Sequence, residues 1–149
     1  MSNIYFLLLV ALIAGAVLPV QTAVNNKMAV TLGSAVLGAL VSFAVGTLSI
    51  LIYSVVSGES LGSLPTARDA PAIAWIGGLL GAFFVTATII LLPRIGVAMT
   101  ISLIIAGQMI TALIMDHFGL LGLEVRQISA LRIIGMVLIS LGVVLIRRY

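Results

Sequence analysis

Long apolar runs interrupted by almost no charge leave this chain little choice of solvent. Eleven of its 149 residues are charged, seven Lys or Arg and four Asp or Glu, which is 7% against about 25% in soluble domains. Hydrophobic residues make up 62% and the mean hydropathy is +1.37. A soluble domain of 15.5 kDa has too much surface for its volume to hide that many apolar side chains, so the solvent is lipid. This excludes a cytosolic enzyme and a disordered chain. The absence of Cys also excludes a disulfide scaffold, thiol catalysis and thiolate metal sites. The pI of about 10.0 rests on three net positive charges scattered along the chain. No Lys/Arg run could track a phosphate backbone, so no nucleic-acid partner is expected.

A helix needs about 20 apolar residues to cross the hydrocarbon core. The runs are continuous rather than alternating, and backbone groups in lipid must be satisfied internally, so they are helices and not strands. Breakers and charges divide the chain into spans at about 4–31, 35–57, 72–92, 95–115 and 131–146. The fold class is therefore all-α: a polytopic membrane protein of five transmembrane helices forming one domain over residues 1–149. No Lys or Arg precedes the first run, which exceeds a signal-peptide core in length, so it is read as an uncleaved first span.

The first span is the unusual one. A continuous helix to Thr31 measures roughly 42 Å at about 1.5 Å per residue, longer than the core, so it must tilt, kink or leave the membrane. Pro19 opens the backbone, with Gly15 one turn earlier. Polar residues past such a break are a usual way to build a polar site at depth, and Gln21, Asn25, Asn26 and Lys27 lie there. The span is thus read as long and kinked. The competing reading ends it at Val24 and makes Asn25-Asn26-Lys27 a wet turn, with Lys27 an ordinary interfacial residue.

Small residues recur every four positions in two spans. Ser34, Gly38, Ser42 and Gly46 line one face of the second, with Ser34 a candidate N-cap. Ala74, Gly78, Ala82 and Thr86 repeat the idea in the third, with Gly77 and Gly81 beside them. Such stripes let another backbone approach closely, the main source of helix association in lipid. Gln108 lies mid-span in the fourth helix, and is either an interhelical hydrogen-bonding group or a cavity residue. Ser42, Thr47, Thr86, Thr88, Thr100 and Ser102 can bond their own helix backbone. Asp116 and His117 close the fourth span, as interface markers or as groups that titrate in a transport cycle. No Asp or Glu lies mid-span, and there is no nucleophile–base pair, metal-ligand cluster or phosphate loop. No enzymatic activity, metal or cofactor is expected.

Five spans place the termini on opposite sides. Arg68, Arg126 and Arg132 then share one face, against Arg94, Arg147, Arg148 and, if it is interfacial, Lys27 on the other. The Lys/Arg bias that fixes orientation is nearly absent. Such balance suits a chain that inserts both ways and pairs antiparallel; it is also common in small proteins with few charges.

These motifs resemble a known family. Pro19-Val20-Gln21 with Asn25, Leu32-Gly33-Ser34 and Ser42-Phe43 with Gly46 are similar to the start of the small YdcZ-like inner-membrane exporters of the drug/metabolite transporter superfamily. Further matches are Trp75-Ile76-Gly77-Gly78-Leu79-Leu80-Gly81, Gly107-Gln108, Asp116-His117-Phe118-Gly119, and Arg132 with Gly135 and Gly142. The resemblance implies a multi-pass protein of the bacterial inner membrane, a five-helix half-unit of a secondary exporter for a small metabolite or drug-like molecule. It implies assembly as an antiparallel homodimer, or a heterodimer with a paralogue, around a central cavity. Gln21, Asn25, Trp75 and Gln108 are then candidate substrate-binding residues, with Asp116, His117 and Lys27 as candidate coupling groups. Gly38, Ser42, Gly46, Gly77, Gly78 and Gly81 are the candidate packing residues. The related four-helix multidrug exporters carry a glutamate in the first helix where this chain has Gln21 and Asn25, which disfavours their proton exchange and cationic drugs. A membrane scaffold or accessory subunit that carries no substrate, and a passive pore, are the rival readings.

Overall fold

The computed structural model describes residues 4–148, which form five α-helices: α1 (Ile4–Leu32), α2 (Ala35–Val56), α3 (Ala72–Ile95), α4 (Val97–Phe118) and α5 (Ala130–Arg148). The first four are long and apolar enough to cross a membrane. The apolar part of α5, Ala130–Ile146, covers about 25 Å at 1.5 Å per residue, against a core of about 30 Å. Arg148, just beyond that stretch, has a side chain long enough to reach past much of the deficit.

Helix α1 continues through Pro19 for 29 residues, about 43 Å. Pro19 leaves the Gly15 carbonyl without its usual donor, yet the helix does not stop at Val24, and the wet turn at Asn25-Asn26-Lys27 does not form. The reason is tertiary. Thr22, Asn25 and Ala29 are buried, and their spacing of three and four places them on one face. The turn into α2 follows from Gly33, whose φ of 67° is unfavourable for other residues, and from Ser34, whose Oγ accepts the Leu37 N–H at 3.3 Å as an N-cap.

The link after α2 is wound as a 3-10 coil, Leu61–Asp69. Helix α3 runs one turn further than its proline suggested, through Pro93 to Ile95. Near the helix end the missing N–H of Pro93 forfeits a single bond. Gly96, at φ 79°, makes the stop. Helix α4 likewise outlasts Asp116 and ends where Gly119 adopts the left-handed C-cap.

Contacts group the chain into two compact units, one reaching Arg94 with α1–α3 and one from Ile95 with α4–α5. In the first, Ala29 of α1, Ala39 of α2 and Val85 and Ile89 of α3 form the buried cluster, with Ala35 and Phe84 packed against it. The closest approach is between backbones: a Cβ on Gly38 would lie 2.8 Å from the Ala29 Cβ and 2.9 Å from its Cα. Gly81 faces the Phe43 ring, with 3.5 Å available for a Cβ. Gly46, Gly77 and Gly78 have nothing within 4 Å of where a Cβ would stand. Most other large apolar side chains are exposed, as a lipid solvent permits.

The second unit is closed by polar bonds at the end of α4. Arg132 of α5 pairs with Asp116 at 3.2 Å, both about one-third exposed. The same Arg132 Nη1 donates to the Arg126 carbonyl at 3.3 Å. The Arg126 N–H donates to the Asp116 carbonyl at 2.8 Å. The Ile128 N–H donates to His117 Nδ1 at 3.3 Å. Both titratable groups thus hold the linking segment onto its helix.

Two stability predictions follow from this packing. Gly38→Ala pushes α1 from α2 and lowers stability by about 1–3 kcal/mol, as overpacking does. Gly46→Ala, in open space, is neutral or gains about 0.5–1 kcal/mol of helix propensity; unfolding titrations in mixed micelles measure both. Asp116→Asn loses the partly exposed ion pair, costing up to about 1 kcal/mol. It should speed amide exchange at Arg126 and Ile128 while leaving α1 and α2 unchanged.

Candidate functional site

The polar residues of the first unit sort by whether their own helix satisfies them. The Thr22 hydroxyl donates to the Leu18 carbonyl at 2.9 Å, and buried Thr88 to the Val85 carbonyl at 2.8 Å. Both are silent, as back-bonded hydroxyls are. Thr100, in the second unit, is fully buried and donates to the Gly96 carbonyl at 2.7 Å. Asn25 differs. It is 8% exposed, its amide has no hydrogen-bond partner among the described residues, and every fully enclosed side-chain N or O atom of the unit is bonded. The amide must therefore open onto space, and it does.

That space is a cavity of about 440 Å³ between α1 and α2, within the usual 300–1,000 Å³ of small-molecule sites. Val24, Met28, Val41 and Val45 give it apolar walls; Asn25, Lys27, Thr31 and Ser42 give it polar groups. A second cavity of about 200 Å³ is lined by Gln21 of α1, by Ser42, Phe43, Gly46 and Thr47 of α2, and by Val85 of α3. Ser42 borders both. Helix α2 spans 22 residues, about 33 Å, and its midpoint falls between Val45 and Gly46. The first cavity thus reaches from the Gly38 level to the middle of α2, and the second lies around that middle.

The candidate residues are dispersed by the fold. Gln21, Asn25, Lys27 and Ser42 come together on these two cavities. Gly38 and Gly46 line one each, so the α2 stripe borders cavities as well as packing. Trp75 is 61% exposed near the start of α3 and lies outside both. Gln108, Asp116 and His117 belong to the other unit. Gln108 is exposed and makes no side-chain hydrogen bond to the described residues. Sequence reasoning gave Ser42 a packing role and passed over Thr31. Ser42 makes no bond to its own helix, and its signal was the Gly46-Thr47 pair one turn on, which leaves the neighbouring face open.

Residues 6–145 match the family described as "Putative inner membrane exporter, YdcZ". The chain is 30% identical over 138 residues to the inner membrane protein YdcZ of Escherichia coli (strain K12), covering 91% of this chain and 90% of that protein. No solved structure matches. With its apolar spans and with this match along nearly its whole length, the chain belongs to the YdcZ family and is a multi-pass inner-membrane protein with a role in membrane transport.

Proposed function

We propose that the chain is one half of a secondary exporter, and that two copies in opposite orientations carry a small, partly apolar molecule by alternating access. The observation that carries this is the Asn25 amide, unpaired among the described residues, at a buried position on a cavity that reaches the middle of α2. A polar group at that depth is expensive unless it meets water or cargo, and binding near the midplane is how inverted repeats transport. Gln21 and Ser42 extend the same polar strip into the second cavity. An antiparallel second copy supplies the inverted repeat that a single five-helix unit lacks, and the even spread of Lys and Arg supports insertion in both senses.

The lack of native Cys makes single-Cys mapping clean. Asn25→Cys and Gln21→Cys should react with a membrane-impermeant maleimide in intact membranes, whereas Leu12→Cys, 72% exposed on the apolar half of α1, should stay unreactive. Ser60→Cys, in the link after α2, should label about half from outside the cell and fully after permeabilisation. Asn25→Leu should insert at wild-type levels, and the culture medium should lose metabolites that wild-type expression adds to it. Unreactive cysteines at positions 21 and 25 would make the amides packing groups and return the chain to a scaffold.

A further inference from the structure

We infer that the cavity between α1 and α2 takes an amphipathic monocarboxylate, with Lys27 as its counter-charge. The inference rests on the proposed reading of that cavity as the cargo site, and it names the class of cargo.

Charge carries the argument. Lys27 lines the cavity, and its ammonium has no ion-pair partner among the described residues. Its depth follows from the backbone contact of Ala29 with Gly38: two residues before Ala29, Lys27 lies about 3 Å further from the Gly33 turn, level with the second turn of α2. A lone ammonium costs about 2.5–3.5 kcal/mol at a helix centre and less towards its end; Lys27, exposed and in the last two turns of α1, bears part of that cost, so a counter-charge is favoured there. The chain cannot provide one. It has four carboxylates, Glu59, Asp69, Asp116 and Glu124. Glu59 and Asp69 lie beyond the far end of α2, about 22 Å along that helix from Val41. Asp116 pairs with Arg132, and Glu124 with Arg126 at 3.2 Å, in the other unit. Within one copy no described carboxylate reaches Lys27, and a bound anion supplies the complement.

The remaining walls define the anion. A single cation balances one negative charge, so a dianion would bring a surplus charge into an apolar cleft. The Asn25 amide and the Ser42 hydroxyl, both without protein partners, supply donors that a carboxylate accepts from. Val24, Met28, Val41 and Val45 leave no further polar demand, so the rest of the molecule is hydrocarbon. The second cavity, with Phe43 and Val85, gives the tail room beyond Ser42. A cationic amphiphile meets only repulsion here. An anionic lipid headgroup shares this chemistry, and the volume and depth of the cavity favour a free molecule over a headgroup.

The experiment follows N-ethylmaleimide alkylation of Ser42→Cys in phosphatidylcholine proteoliposomes. Octanoate, octylammonium and 1-octanol serve as tail-matched probes of three charges. Octanoate should slow alkylation at a concentration about tenfold or more below that needed with octylammonium. Lys27→Gln should remove that advantage and Lys27→Arg should keep it. Equal protection by octanoate and octylammonium, or octanoate protection that survives Lys27→Gln, would overturn the monocarboxylate while leaving the cavity reading intact. Phosphatidylglycerol in the vesicles that protects on its own, with octanoate adding nothing, would make the anion a lipid and also overturn it. A cysteine at position 42 that never alkylates would sink the cavity reading itself.

Discussion

The backbone contact between α1 and α2 at Ala29 and Gly38 is what the first unit is built on. Between helices in lipid there is little hydrophobic driving force, because acyl chains are as apolar as leucine. What remains is dispersion at close range, and that is greatest where no side chain intervenes. With no Cβ at Gly38, the Ala29 backbone sits where that atom would otherwise be. Ala39, Val85 and Ile89 then close around the contact. The same contact keeps α1 helical through Asn25-Asn26-Lys27, a stretch that by itself is as well suited to a turn.

Tight packing at one level makes the cavities possible at the next. Valine and serine follow Gly38 along α2, and opposite them α1 presents Asn25 and Met28 rather than alanine. The surfaces no longer interdigitate, and space opens that Ser42 borders on both sides. Gly46 and Thr47 carry it to the middle of α2. Cavity and contact are thus two results of one alignment of small residues, and a change in either shifts the other.

Charge is handled differently in the two units. In the second, the acid of Asp116 meets the base of Arg132, and the imidazole of His117 accepts a backbone N–H. Both are spent on holding the segment between α4 and α5. In the first, the helices carry no acid at all, and Lys27 borders the cavity without an ion-pair partner among the described residues. This imbalance is informative because charges are so few: a lone cation inside a lipid-exposed chain costs enough that a counter-charge is favoured.

Sequence alone determined the solvent, the helical class and the approximate ends of the helices. Those properties follow from local chemistry: hydropathy summed over a turn or two, and Gly33, where the backbone turns left-handed; the stops at Gly96 and Gly119, past Pro93 and Asp116, came from the structure. The Ser34 cap was legible for the same reason. Tertiary structure decided the uses of the polar residues. Thr22 and Asn25 are both buried polar residues one turn apart on α1, yet the first is satisfied by its own helix and the second opens onto a cavity. Gly38 and Gly46 share a stripe, yet one admits a backbone and the other only space. Asp116 and His117 stand in the sequence as polar residues closing a span, and their partners, ten or more residues further along the chain, come into view only in the fold. Such assignments depend on which surfaces face each other, and facing is a property of packed helices that no single stretch of chain contains.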